Sequence, residues 1–206
     1  MPTVLITGAG RGLGLEFARQ YAADGWKVIA TIRRSDAKAT LQSLGADVDG
    51  GVALDVLINN AGIYGPSGLA IGTLDYAAWE QVLRVNVLGP AAMSEALRDN
   101  VAASGRRIIV MISSRLGSIM EMRAGDYLYG SSKAALNAVT KSFASALGRG
   151  VIVVALSPGW VRTDMGGAGA PLAPETSVAG MRKVIAGLSR RDSGRFINYD
   201  GSDIPW

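Results

Sequence analysis

Two residues that could move a proton stand four positions apart in the sequence, Tyr129 and Lys133. On a helix this spacing places both side chains on one face, about one turn apart. A free phenol has a pKa of about 10, and a neighbouring ammonium favours the phenolate and lowers that pKa. The pair predicts a tyrosine acid–base catalyst assisted by lysine, with an exposed helical pair as the alternative. Tyr127 is the weaker candidate because no lysine follows it by four residues.

The composition excludes many other catalysts. The 206 residues include neither histidine nor cysteine. This excludes Ser-His-Asp hydrolysis, thiol nucleophiles, disulfides and most zinc sites, and no metal is expected. Tyrosine, lysine, serine and the carboxylates remain to carry proton chemistry.

A glycine-rich turn, Thr7 to Gly14, follows the apolar run Val4-Leu5-Ile6 and leads into a helical pattern. Gly8 permits a tight turn, Gly12 lets the backbone approach a pyrophosphate, and Gly14 lets helix and strand pack closely. The helix N-terminus would offer N–H groups to phosphates. The turn therefore predicts a nucleotide site, with a plain loop as the alternative.

The end of the second strand indicates which nucleotide is bound. The run Val28 to Ile32 leads into Arg33 and Arg34, and Arg11 in the glycine turn is a further cation. NAD sites usually place a carboxylate at this strand end, whereas the extra phosphate of NADP needs positive charge. NADP is therefore favoured over NAD, with solvated, functionless arginines as the alternative.

The elements that would position these residues alternate between strands and helices, in a chain that is 49% hydrophobic and 18% charged. This order predicts an α/β fold, a doubly wound Rossmann-type parallel sheet forming one domain over residues 1–206. Strands are expected near 3–7, 27–32, 52–58, 107–112, 151–156 and 195–198. Helices are expected at Leu13–Ala23, Asp75–Ala103 with a kink at Pro90, Tyr127–Leu147 and Glu175–Leu188.

One crossover of this sheet is too short. Parallel neighbours need a connection of at least about 10–12 residues, yet residues 51–62, Gly-Val-Ala-Leu-Asp-Val-Leu-Ile-Asn-Asn-Ala-Gly, form one unbroken stretch. A strand and its helix are therefore missing near residues 55–57. Either residues have been left out, which predicts a spatial break between Asp55 and Leu57, or the sheet lacks the edge strand beyond the second. We favour the first alternative.

Four motifs together resemble the short-chain dehydrogenase/reductase family over nearly the whole chain. They are the Thr7–Gly14 turn, Asn59-Asn60-Ala61-Gly62, Tyr129-x-x-x-Lys133 and Pro158-Gly159. The ending from Gly194 to Trp206 is similar to the C-factor-like and sniffer-like carbonyl reductases.

The resemblance implies a catalytic set of Tyr129, Lys133, Ser114 and Asn86. Ser114, rather than Ser113, would hydrogen-bond the substrate oxygen, and Asn86 would hold a water that relays protons to the lysine. The alternatives are serines that only cap a strand and an asparagine that is only a polar helix residue.

The resemblance also implies cofactor contacts. Asn60 would contact the ribose, Asp55 with Val56 would meet the adenine, Val161 would bind the nicotinamide amide through its backbone, and Thr163 would contact the nicotinamide or pyrophosphate. The full expected set is Gly8, Arg11, Gly12, Leu13, Gly14, Arg33, Asp55, Asn60, Gly62, Tyr129, Lys133, Pro158, Gly159, Val161 and Thr163.

The resemblance thus predicts an NADP(H)-dependent oxidoreductase that reduces a carbonyl, or oxidises the corresponding alcohol, by hydride transfer. The alternative is a non-catalytic nucleotide-binding signalling protein of the C-factor type. Expected partners are a small carbonyl or alcohol substrate and further copies of the chain, as a homodimer or homotetramer. The net charge of +4 is dispersed, so no nucleic acid is expected. No apolar run is long enough to span a membrane, and the chain is expected to be cytoplasmic.

Overall fold

The computed structural model of the protein describes residues 1–32 and 53–206. Within these ranges the strands form a six-stranded, wholly parallel sheet in the order β2-β1-β3-β4-β5-β6. The strands are β1 Thr3–Ile6, β2 Lys27–Ala30, β3 Val56–Asn59, β4 Ile108–Ile112, β5 Ile152–Ser157 and β6 Phe196–Asn198. The predicted doubly wound α/β fold is confirmed, with strands near all six expected positions.

The central strands are continuous apolar runs because helices cover both faces of the sheet. Every residue of β4 and β5 is buried, as is usual for a parallel sheet. One face packs against Phe17 of the first helix and Met181 of the last. The other packs against Leu136, which lies on the helix that carries Tyr129.

The described helices are numbered here in chain order. They are α1 Gly12–Ala23, α2 Tyr76–Leu83, α3 Gly89–Ala96, α4 Arg98–Ala102, α5 Tyr127–Leu147 and α6 Pro174–Gly187. In the described part of the chain, no helix is both long and apolar enough to cross a membrane.

The segment expected to be helical over Asp75–Ala103, with a kink at Pro90, is helical but is divided into three helices. A π-helical turn, Arg84–Leu88, separates α2 from α3, and Leu97 interrupts the chain between α3 and α4. Pro90 has no N–H to donate to the carbonyl four residues earlier, and its ring crowds that carbonyl. Pro90 is therefore tolerated in the first turn of a new helix, α3.

The expected spatial break between Asp55 and Leu57 is wrong. Val56 and Leu57 of β3 pair with the consecutive residues Val4 and Leu5 of β1. The backbone N–H of Asp55 donates to the carbonyl of Thr3 at 2.9 Å, so the ladder begins without interruption. Residues 53–59 therefore supply one strand, β3, and the edge strands of the described sheet are β2 and β6.

Candidate active site

Tyr129, Lys133 and Ser114 meet where α5 passes the carboxyl end of β4. Lys133 is 4% exposed, and its Nζ donates a 2.8 Å hydrogen bond to the carbonyl of Ile112, the last residue of β4. The same Nζ lies 5.4 Å from the centroid of the half-buried Tyr129 ring. Ser114 interacts with the Tyr129 side chain through a hydrogen bond and also accepts one from the N–H of Leu116 at 3.2 Å. The arrangement brings a phenol, an amine and a hydroxyl together.

The acid–base properties of the pair differ from the expectation. Burial raises the pKa of Tyr129, and the Ser114 hydrogen bond only partly opposes this rise. Burial also lowers the pKa of Lys133 to about 8. The predicted lowering of the Tyr129 pKa is therefore wrong. Below its pKa of about 8, Lys133 is an ammonium whose Nζ lies beside the Tyr129 ring.

The structure distinguishes the two adjacent serines. Ser113 is buried, and its hydroxyl donates to Oδ1 of Asn137 at 2.7 Å. Asn137 in turn donates to the carbonyl of Gly117 at 3.0 Å. Ser113 thus fastens α5 to the end of β4, whereas Ser114 is the serine that interacts with Tyr129.

Asn86 lies in the π-helical turn and is fully buried. Its Oδ1 accepts from the N–H of Ile63 at 2.9 Å, and its Nδ2 donates to the carbonyl of Ile63 at 2.9 Å and to Ser132 Oγ at 3.0 Å. The side chain therefore clamps the segment after β3 to α5, and it does so from a π-turn, a feature often found at functional sites. The water-holding role expected of Asn86 stays a prediction.

The glycine turn and the segment after β3 are locked together. Asn60 Nδ2 donates to the carbonyls of Thr7 at 2.9 Å and Gly8 at 3.3 Å, while Thr7 Oγ1 accepts from the backbone N–H groups of Asn60 and Ala61, both at 3.0 Å. A Cβ on Gly8 would lie 2.9 Å from Ala61 Cα, and one on Gly14 would lie 2.3 Å from the carbonyl oxygen of Gly8. Side chains are thus excluded from both positions.

The start of α1 fits a phosphate-bearing ligand. Arg11 is the N-cap residue and makes no side-chain cap, and the first turn has no acidic residue. The N–H groups of this turn are free of a side-chain acceptor there, and the helix dipole adds positive potential. Gly12 has a φ of +54°, and Thr163 lies 3.6 Å from where its Cβ would be. Leu13 packs on the core beneath the turn.

The cations expected to recognise NADP stand differently in the structure. Arg11 Nη1 lies 2.6 Å from Asp164 Oδ2, and both side chains are largely exposed. This ion pair joins the glycine turn to the loop between β5 and α6. Arg33 lies outside the described residues.

The expected contact of Asp55 with adenine is wrong. The carboxylate of Asp55 accepts a 2.8 Å hydrogen bond from the N–H of Thr3. Both residues stand at the amino ends of parallel strands, whereas the glycine turn leaves the carboxyl end of β1. Asp55 therefore lies at the opposite edge of the sheet.

The loop after β5 lies at the carboxyl edge, as expected. Pro158 and Gly159 follow β5 directly, and Gly159 has a φ of +76°. Val161 is buried and pairs with Leu172 in an isolated bridge. Thr163 Oγ1 accepts from the N–H of Gly166 at 3.2 Å.

Gly62 connects the segment after β3 to the buried amine. A Cβ on Gly62 would lie 3.7 Å from Lys133 Nζ and 3.3 Å from Asn86 Oδ1. A larger residue at position 62 would therefore crowd the amine of Lys133, which lies beside Tyr129.

A cavity of about 310 Å³ opens beside Tyr129. Tyr64 and Asp126 line it, and neither was selected from the sequence. Their positions offered some signal, since Tyr64 follows Gly62 by two residues and Asp126 precedes Tyr129 by three. Nothing in the sequence showed that the two side chains would meet.

Fold and site together define the class of this protein. A family model described as short chain dehydrogenase matches residues 2–53 and 48–170. The chain belongs to this family of oxidoreductases, as the sequence motifs predicted.

Individual relatives refine this placement. The chain is 43% identical over 157 residues to C-signal of Myxococcus xanthus, covering 74% of this chain and 93% of that protein. It is 32% identical over 230 aligned positions to 1-hydroxy-2-glutathionyl-2-methyl-3-butene dehydrogenase of Rhodococcus sp. (strain AD45), with both chains covered fully.

Solved structures of carbonyl reductases are similar to this chain over its whole length. The carbonyl reductase Sniffer of D. melanogaster superposes with a TM-score of 0.90 at 32% identity, covering all of both chains. The NADPH-bound carbonyl reductase from chicken fatty liver superposes with a TM-score of 0.89 at 30% identity, covering 100% of this chain and 99% of that one.

The alignments also locate the short crossover. The two stretches matched by the family model overlap at residues 48–53, so the discontinuity lies before β3 rather than at residues 55–57. The Rhodococcus alignment needs 230 positions for the 206 residues of this chain. That relative therefore has residues that this chain does not have.

Proposed function

We propose that this protein is an NADP(H)-dependent oxidoreductase that reduces a small carbonyl compound, or oxidises the corresponding alcohol, by hydride transfer. One observation carries the proposal: Tyr129 lines the cavity while it interacts with Ser114 and stands beside the buried amine of Lys133. A carbonyl oxygen that accepts a hydrogen bond from the Tyr129 hydroxyl would also lie close to Ser114.

When bound, the nicotinamide supplies the hydride, and the protein handles the proton. Ser114 and Tyr129 orient the carbonyl oxygen, and Tyr129 Oη gives its proton to the oxygen as negative charge develops there. Lys133 Nζ, which holds its proton below a pKa of about 8, then returns a proton to the Tyr129 oxygen. In the oxidative direction each proton moves the opposite way.

The cofactor would be held by two segments that already fit together. The glycine turn and the first turn of α1 would hold the pyrophosphate, and Asn60 would lie beside the ribose. Val161 and Thr163 would lie by the nicotinamide. Arg11 and Arg33 would bind the extra phosphate of NADP, and the NADPH bound to the chicken carbonyl reductase supports this preference.

The likeness to C-signal supports a second candidate function. In that alternative the protein binds the nucleotide and signals without turnover. The intact set of Ser114, Tyr129 and Lys133 favours the enzyme, because a sensor has no need for a positioned proton donor.

The test is an assay of ketones, aldehydes and quinones with NADPH and with NADH, followed by the loss of reduced-cofactor absorbance. We expect turnover that prefers NADPH and that disappears in Tyr129→Phe but not in Tyr76→Phe, which alters an exposed tyrosine at the start of α2. Tight NADPH binding with no turnover of any carbonyl compound would favour the signalling protein instead.

A further inference from the structure

A second tyrosine forms one wall of the substrate cavity. The Tyr64 ring stacks on the Tyr129 ring with centroids 4.6 Å apart and planes inclined by 24°. Its hydroxyl donates a 2.5 Å hydrogen bond to Asp126 Oδ1. Tyr64 thus contacts the ring of the proposed acid and a carboxylate at the same time.

The Asp126 carboxylate does not cap the helix that follows it. Asp126 is the N-cap residue of α5, a position where aspartate ordinarily accepts from an N–H of the first turn, yet it makes no side-chain cap. It faces Tyr64 instead. Gly65, which follows Tyr64, has a φ of +84°, and a Cβ added to it would lie 2.9 Å from Val82 Cγ2. The backbone next to Tyr64 is therefore closely packed against Val82 of α2.

The charge in this cavity comes from one side chain. Among the described residues that line it, Asp126 alone has a formal charge at neutral pH. The other residues that line it have apolar or uncharged polar side chains. A second carboxylate brought into this space would meet the like charge of Asp126, and like charges a few ångströms apart repel. The Lys133 amine lies 5.4 Å from the Tyr129 ring centroid but is not among the residues that line the cavity.

We propose that Tyr64 and Asp126 form a charge-selective wall that admits neutral carbonyl compounds and disfavours those carrying a carboxylate. Tyr64 is the specificity-determining residue that contacts the substrate. Asp126 positions the Tyr64 ring and supplies the negative potential. The catalytic part of this inference rests on the proposed function, whereas the binding part does not.

The reactive test compares two substrates that differ in charge, para-carboxybenzaldehyde and its methyl ester, with NADPH. We expect kcat/KM for the ester to exceed that for the acid by roughly tenfold, about the effect of 1.4 kcal/mol. Asp126→Asn keeps the hydrogen-bond acceptor and should bring the ratio close to one. Asp99→Asn, on exposed α4, is the matched control and should leave the ratio unchanged. A wild-type ratio close to unity, or a ratio that Asp126→Asn does not alter, would contradict the proposed charge-selective wall.

Further measurements separate the charge of Asp126 from its role in folding. In the wild-type protein, raising the ionic strength should bring the ratio of kcat/KM for the ester to kcat/KM for the acid closer to one, because salt screens charge repulsion at a partly exposed site. Asp126→Glu should keep the discrimination. Tyr64→Leu should raise KM for the ester at least about threefold while kcat changes less. A wild-type ratio indifferent to salt would contradict a charge effect.

An unreactive pair distinguishes failure of the wall from failure of the proposed function. Binding of benzamide and benzoate to the NADPH-loaded protein can be compared by saturation-transfer NMR, with benzamide expected to bind about tenfold more tightly. Discrimination in binding without turnover of any aldehyde would refute the proposed function and support the wall. Turnover of aldehydes together with equal binding of benzamide and benzoate would support the proposed function and refute the wall.

Discussion

Lys133 on α5 is tied to Ile112 at the end of β4 by a 2.8 Å hydrogen bond from its ammonium to the strand's carbonyl. Because Ser114 follows Ile112 by two residues and Tyr129 precedes Lys133 by one helical turn, this bond sets the spacing between the two hydroxyls. Lys133 therefore positions the two hydroxyls in addition to its proposed role as a proton donor.

The first prediction concerns the proton donor. Tyr129→Phe should reduce kcat by more than about a hundredfold, the usual scale for loss of a general acid, and leave NADPH affinity nearly unchanged. Steady-state kinetics and a fluorescence titration of NADPH measure the two effects. A variant of near-normal rate would disprove the assignment of Tyr129.

The second prediction concerns stability and pH. The Lys133 pKa of about 8 in the folded protein lies below the ordinary value of 10.5. Between these values the unfolded chain holds a proton that the folded chain lacks, so raising the pH favours the folded state. The free energy of unfolding should gain up to about 3 kcal/mol from this group over that interval. Urea denaturation across this range should show the gain in wild type and not in Lys133→Met.

The third prediction concerns Asn86. Asn86→Ala would leave the backbone N–H and carbonyl of Ile63 without their side-chain partners, and each lost buried hydrogen bond costs about 1–3 kcal/mol. We expect the free energy of unfolding to fall by about 2–5 kcal/mol. The control Gln81→Ala, on the exposed side of α2, should change it by less than about 0.5 kcal/mol. Equal stabilities in urea for the two variants would show that the clamp is unimportant.

The fourth prediction concerns the choice of cofactor. Arg33→Ala and Arg11→Ala should each weaken NADPH binding by about 1.5–3 kcal/mol, the scale of a charge-assisted hydrogen bond, and leave NADH almost unaffected. Calorimetric titration with both cofactors gives the comparison. Equal losses for NADPH and NADH would mean that neither arginine reads the extra phosphate.

The fifth prediction concerns assembly. We expect a homodimer or homotetramer in which the helical region that begins at Tyr76 and the helix α5 pair with their copies. Small residues such as Ala91, Ala92, Ala134 and Ala138 would let helices approach closely. Light scattering at micromolar concentration should report more than one chain, and a monomer there would rule the proposal out.

The sequence by itself determined the sheet and the family. The strands were predictable because a parallel sheet covered on both faces needs continuous apolar runs, such as Ile108–Ile112. The glycine turn and the Tyr129–Lys133 spacing were predictable because turn geometry and helical period are local properties of the chain.

Only the tertiary structure decided the chemistry of the site. The shift of the Lys133 pKa comes from burial against β4, and the Tyr64–Asp126 contact joins residues that are distant in sequence. Asp55 was misassigned because a two-residue motif does not reveal which end of a strand it occupies. Local sequence patterns fix backbone conformation, whereas pKa values, cavity walls and strand edges depend on which distant groups exclude water from one another.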